Sequence, residues 1–227
     1  MKGLVITALL SSVASVAYGN DLFISQVGDN LSLTVTQDGT GNTIGDVTTA
    51  LTLDGNSMTF AITQQGDNNA IAATINGNTY SGEWEFFGNT NTVDLTCDST
   101  AQGQCEVVTV DILTTGSDNT YNVYIGEAKV ADNLVVSFDV SGDDNIITAN
   151  LDATNADVTI TIDNAGGLGN TFTIDQDDAG SVAGHSLTYD HTGGNGTFNI
   201  IQSGLLDKNI NVVSFGDNQV VSITQTD

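Results

Sequence analysis

Val35-Thr36-Gln37-Asp38-Gly39-Thr40-Gly41-Asn42-Thr43-Ile44 reads as an alternating apolar run, a Gln-x-Gly step, an asparagine and the start of another run. The phrase recurs as Ile24-Ser25-Gln26-Val27-Gly28-Asp29-Asn30 and as Ile62-Thr63-Gln64-Gln65-Gly66-Asp67-Asn68-Asn69-Ala70-Ile71. Looser copies lie at Gln202-Ser203-Gly204 and Phe215-Gly216-Asp217-Asn218. Repetition on this scale predicts an all-β solenoid, in which each unit buries its apolar face by stacking on its neighbours.

The composition agrees. The chain has no proline in 227 residues, and proline lacks the N–H that a sheet ladder needs. Its acids are nearly all aspartate, with glutamate only at Glu83, Glu85, Glu106 and Glu127. Aspartate supports turns, whereas glutamate favours helices. Lys2, Lys129 and Lys208 are the only basic residues apart from histidine, and the formal charge is −25. That balance excludes a cationic surface for phosphate backbones and argues against adhesion to anionic lipid. It fits a solvated extracellular surface on which salt screens the repulsion.

Residues 1–19 read as a secretory leader: Lys2, an apolar stretch from Leu4 to Val16, and a small-x-small site at Ala17-Tyr18-Gly19. No later segment approaches membrane-spanning length. Residues 20–227 are expected to form one elongated domain. Cys97 and Cys105 are the only cysteines, and in an oxidising compartment they are expected to pair around a small loop. A two-ligand metal site competes, but it lacks nearby histidines.

Period-two alternation broken by Gly, Asn and Asp runs along most of the chain, for example Leu31-Leu33-Val35, Leu134-Val136-Phe138 and Val158-Ile160-Ile162. The turn asparagines Asn30, Asn42, Asn69, Asn91, Asn119, Asn145, Asn170, Asn195 and Asn218 fall, after the first interval, about 25 residues apart. Two strands and two turns per coil follow, with eight or so rungs in a rod about 40 Å long. Residues 80–107, which hold Trp84, Phe86, Phe87 and the cysteines, are expected to be an irregular insertion. The entry at Leu22-Phe23-Ile24 and the exit at Val220–Gln225 lack a polar helix or proline. Exposed strands of this kind template pairing with another chain, so head-to-tail polymerisation is expected.

The Gln-x-Gly-x-x-Asn phrases resemble the curlin repeat of curli-type fibre subunits. Gln37-Gly39-Asn42-Ile44 and Gln64-Gly66-Asn69-Ile71 match its spacing, with isoleucine where curlins usually place alanine. Gln26 and Gln37 stand eleven apart, the interval between the two glutamines of a curlin repeat. The likeness covers roughly residues 22–75 and departs in places: Leu31 and Met58 replace the opening serine, and Thr48 and Ile75 the trailing glutamine. The resemblance implies export across an outer membrane, β-solenoid fibres in a biofilm matrix, a nucleator and a dedicated export channel.

The motif also has a physical reading. Inward Gln and Asn side chains at rung spacing can bond to their equivalents above and below, because each amide both donates and accepts. Gln26, Gln37, Asn42, Gln64, Asn69 and Gln202 are the candidate ladder residues. Gly28, Asn30, Gly39, Gly66 and Gly204 are the candidate turn residues, with glycine supplying positive φ. The alternative is a β-sandwich of ordinary hairpins.

Catalytic chemistry is not expected. His185 and His191 are the only histidines. Gly184-His185-Ser186 lacks the closing glycine of a nucleophile elbow, so both histidines are expected in surface turns. Gly166-Gly167-Leu168-Gly169-Asn170 has no basic residue to hold phosphate. Asp175-Gln176-Asp177-Asp178 has Ser186 where an EF-hand needs glutamate. No cofactor is expected, although Asp143-Asp144 and Asp177-Asp178 could take calcium weakly. Thr-x-Thr pairs at Thr34/Thr36, Thr90/Thr92, Thr159/Thr161 and Thr171/Thr173 could order water on a flat face. Threonine is, however, an ordinary exposed strand residue. The leading expectation is a secreted, self-assembling fibre subunit that binds neither nucleic acid nor membrane. A monomeric adhesin or ice-binding protein is the alternative.

Overall fold

The computed structural model describes residues 5–11, 21–46, 48, 50–97, 106–126, 131, 133–153, 155–164, 169–177, 185–204 and 208–226. The described residues contain twenty strands and no helix. One sheet has nine strands, in the order β1 (Val5–Ser11), β4 (Ser32–Asp38), β7 (Met58–Gln65), β9 (Thr79–Phe87), β11 (Val107–Thr115), β13 (Asn133–Ser141), β15 (Ala156–Asn164), β17 (His185–Gly193) and β19 (Lys208–Phe215). The other runs β2 (Asp21–Leu22), β5 (Thr43–Ile44), β8 (Ala70–Asn76), β10 (Thr92–Cys97), β12 (Thr120–Ile125), β14 (Ile146–Asp152), β16 (Thr171–Asp177), β18 (Thr197–Ser203) and β20 (Val220–Thr226). Beside this path, β3 (Ser25–Val27) pairs with β6 (Leu51–Asp54), which also pairs with β8.

Among the described residues every strand pairing is parallel, and the chain alternates between the two sheets. Successive strands of one sheet therefore belong to successive coils. This is a β-solenoid, and hairpins, which pair antiparallel strands, are excluded. The register fixes the coil lengths. Asn42 to Asn69, Asn91 and Asn119 give steps of 27, 22 and 28 residues, and the ladder bonds span the same separations.

Period-two alternation places one row of each strand between the sheets. Leu33, Phe60, Val110, Val136, Ile160 and Tyr189 are buried from one side, and Ile71, Val93, Tyr121, Ile147, Phe172 and Phe198 from the other. Aromatic rings meet in pairs within this core. Phe60 and Trp84 lie edge to face at 5.8 Å, and Phe172 and Phe198 stack at 5.5 Å.

One expectation is corrected here. Residues 80–97 are regular coil: Tyr80, Trp84 and Phe86 are buried inward residues of β9, and β10 follows in register with β8 and β12. The aromatic bulk fits because the inward position between Tyr80 and Trp84 is Gly82. A Cβ there would stand 2.6 Å from the Tyr80 hydroxyl oxygen. The rest of the expected insertion, residues 98–105 with Cys105, lies outside the described residues. Within the expected leader, Val5–Ser11 pairs with β4 from Val5↔Ser32 to Ser11↔Asp38.

Candidate functional site: turn ladders and the open last coil

Five of the described turns from the first sheet to the second are built the same way. A glycine with φ between +115° and +146° leaves the strand, as at Gly39, Gly66, Gly88, Gly116 and Gly142. Two residues later comes a left-handed residue: Gly41, Asn68, Thr90, Asp118 or Asp144. Asparagine and aspartate tolerate this conformation better than most residues. The next residue, Asn42, Asn69, Asn91, Asn119 or Asn145, turns its side chain inward and is buried.

These inward asparagines form a continuous ladder. The backbone N–H of Asn42 donates to Oδ1 of Asn69 at 2.9 Å, and that of Asn69 to Oδ1 of Asn91 at 2.9 Å. The series continues from Asn91 to Asn119 at 2.8 Å, Asn119 to Asn145 at 3.0 Å and Asn145 to Asn170 at 2.8 Å. The amide nitrogens close the turns. Nδ2 donates to the Gly39, Gly66 and Gly88 carbonyls from Asn42, Asn69 and Asn91, and to those of Gly116 and Gly142 from Asn145 and Asn170. Buried backbone groups at the turns thus find partners without water.

A second ladder runs outside in the opposite direction. The N–H of Asn89 donates to Asp67 Oδ1, that of Ser117 to Asn89 Oδ1 and that of Asp143 to Ser117 Oγ. At the return turns, Asn56 donates to Asp29 and Asn78 to Asn56. Asp143 and Asp144, suggested as weak calcium ligands, thus occupy a half-buried turn of this kind, and Asp178 lies outside the described residues.

The anticipated ladder residues divide accordingly. Asn42 and Asn69 are inward rungs. Asn30, Asn195 and Asn218 are the left-handed residues of their turns, with φ of 61°, 54° and 56°. Asn30 also lies in a return turn, which accounts for the short first interval in the sequence spacing. The ladder stops at Gly196, where a Cβ would lie 2.3 Å from the Phe198 ring. The aromatic group Tyr189, His191 and Phe198 fills that end of the core.

Glutamines ladder through their side chains. Gln64 Nε2 donates to Gln37 Oε1 at 2.7 Å, and Gln202 Nε2 to Gln176 Oε1 at 2.7 Å. Gln225 extends the second pair by donating to Gln202 Oε1 at 3.1 Å. Gln176 and Gln225 carry no Gln-x-Gly phrase and were not anticipated; Ile174-Asp175-Gln176 in strand register is the signal that could have found them. Gln26 stands alone and donates to the Gly28 carbonyl at 2.8 Å. Gly28 and Gly204 sit in return turns, with φ of 134° and 129°.

The two histidines are not surface turn residues: both are buried in β17. The pattern His185, Leu187, Tyr189, His191 has period two, so each faces the core. Burial holds the His191 imidazole below its usual pKa, with Gln219 and the Asp190 carboxylate pulling the other way. The unfolded chain therefore binds this proton more readily than the folded one. Stability is full above the unfolded value of about 6.5 and is lost as pH falls from there toward the folded value. A urea titration series should show the midpoint dropping below about pH 6.5, and His191→Phe should flatten that part of the dependence. Burial likewise pushes the Tyr80, Tyr121 and Tyr189 phenols up.

The last coil is unlike the others. Val221 and Ile223 continue the inward columns of Phe198 and Ile200. Phe198 and Ile200 are 1% and 2% exposed, whereas Val221 and Ile223 are 39% and 45% exposed. Ile210 and Val212 of β19 are only partly buried against the core. An apolar layer, a glutamine and two strand edges thus face outward together at β19 and β20. An arrangement of this kind can accept another layer of parallel strands.

No family model matches the chain, and no curated protein or solved structure was found to resemble it. The class of protein is therefore given by the fold: a two-sheet parallel β-solenoid with internal amide ladders.

Proposed function

We propose that the chain is a structural subunit that assembles end to end into an extracellular fibre of curli type, without catalysis and without a cofactor. One observation carries this reading: inward columns that are closed in the preceding coil lie open at β19 and β20. Burying apolar area contributes about 25 cal/mol per Å², so an uncovered layer favours a further layer of like geometry. The partner is a second copy, because only a parallel two-sheet coil matches both edges at once. Gln-x-Gly-x-x-Asn spacing of curlin type supports the same reading, and with it an outer-membrane export channel and a nucleating partner. The formal charge of −25 keeps rods from bundling side by side.

Electron microscopy and fibre diffraction of the purified protein test this. Unbranched fibres with a meridional repeat of about 4.8 Å are expected. A species that sediments as a monomer at high concentration would sink the proposal and favour a soluble adhesin. The ice-binding variant has less support, since the register sets Thr34 and Thr36 beside Ala61 and Thr63 and then Glu83 and Glu85.

The fibre reading places the chain in an oxidising compartment, with residues 1–19 as its export leader. Cys97, buried at the end of β10, is then bonded to Cys105 across the short loop. Alkylation of the unreduced, denatured protein should label no thiol, and labelling of both should require prior reduction.

A further inference from the structure

We propose that two copies meet in a single register, with β20 of one copy against β2 and β3 of the next and Gln225 opposite Gln26. This rests on the polymer reading above and names the contact that it requires.

The argument comes from one inward column of the second sheet. It begins with Gln26, is apolar from Leu53 through Leu151, and ends with Gln176, Gln202 and Gln225. A buried amide is costly unless it meets another hydrogen-bonding group. In the closed interior of this column the chain places leucine, isoleucine and Cys97, and it keeps glutamine for the two extremes. In every observed pair the later glutamine donates Nε2 to Oε1 of the earlier one. By that rule Gln225 Oε1 is the next acceptor and Gln26 Nε2 of the following copy the next donor. The apolar columns match as well, because Leu22 precedes Ile44 in the column that Val221 closes.

One other register exists, in which β20 displaces β2 and β3 and lies on β5 and β6. It would place Gln225 against Leu53, with an amide facing an apolar side chain. The chosen register has a consequence in the first sheet. Nine strands stand there with β1 and eight without it, while the second sheet keeps nine along its path. In a stack of chains that keep residues 1–19, Val5–Ser11 lies between β4 of its own copy and β19 of the neighbour. A chain lacking residues 1–19 leaves a gap one strand wide in that sheet at every junction.

The test uses mixtures. Protein carrying Gln225→Cys is assembled with protein carrying Gln26→Cys or, separately, with protein carrying Leu53→Cys, and each is treated with a short thiol cross-linker. A covalent dimer in the first mixture alone is expected. A dimer in the second, or in neither while microscopy shows fibres in both, overturns the register. Unsubstituted fibres give an independent readout by hydrogen exchange. Amides of residues 21–27 should exchange at least about tenfold more slowly in the fibre than in the monomer, whereas displaced strands would exchange freely. Within the fibre, β4 amides should be protected in the chain that carries Val5–Ser11 and should exchange faster in a chain of residues 20–227. Equal protection in both overturns the gap. Unsubstituted protein that forms no fibres overturns the fibre reading itself, and this inference falls with it.

Discussion

Gly116→Ala is expected to destabilise the solenoid by about 2–6 kcal/mol, because two separate costs fall on one methyl group. A Cβ on Gly116 would stand 2.0 Å from the carbonyl oxygen of Gly88 in the preceding coil. Gly88 meets Gly66 in the same way, Gly66 meets Gly39, and Gly142 meets Gly116. A column of glycines thus lets each turn sit on the carbonyl below it, and no side chain can yield because the obstacle is backbone. The φ of +146° adds conformational strain. Gly41→Ala is the control: its φ is +73° with nothing within 4 Å of a Cβ, so only the left-handed penalty of about 1–2 kcal/mol applies. Urea unfolding of the two variants should separate them clearly. A shift at Gly116 no larger than that at Gly41 would mean that the coils can part at the turns without loss.

The second large effect is expected at Asn119. Its Oδ1 accepts the Asn91 N–H at 2.8 Å, and its Nδ2 donates to Asn145 Oδ1 at 3.0 Å. Asn119→Leu keeps the branched shape of the side chain but leaves the Asn91 N–H buried without an acceptor, at a cost of about 1–3 kcal/mol. Asn119→Asp keeps the acceptor and buries a carboxylate. Burial favours the protonated acid, so this variant should be weaker near neutral pH and recover toward the wild type as pH falls. Thermal melts at two pH values read both effects. An Asn119→Leu midpoint equal to that of the wild type would show that the ladder does not hold the turns.

Most of this architecture is legible in the residues. Alternation such as Leu134-Val136-Phe138-Val140 can only be a strand facing a core on one side, and repeated turn phrases at even spacing imply coils. Which asparagines point inward was harder to read. True rungs stand two residues before the first inward apolar residue, as Asn42 does before Ile44 and Asn119 before Tyr121. Asn195 stands three before Phe198, and that one-residue difference moves a side chain from the core to the left-handed corner. Counting from the strand would have separated them, whereas following asparagines alone could not.

The aromatic coil is hard to read for a related reason. Tyr80, Trp84 and Phe86 look too bulky for a regular stack until Gly82 is seen as the space the tyrosine ring folds across. Residue type alone argues for surface histidines, whereas their place in the alternation of β17 sets them inside. Nothing in local pattern could reveal that Val5–Ser11 aligns with β4, because that register depends on coil length, which only the folded chain defines.

Strands that all run one way give the molecule a heading. Its leading and trailing faces differ: short strands with Gln26 turned inward on one, and an amide acceptor with bare valine and isoleucine on the other. Stacking in the register above joins unlike faces, so a rod of them would have unequal tips. One tip would offer a template while the other offers a seat, and elongation would proceed at different speeds from the two.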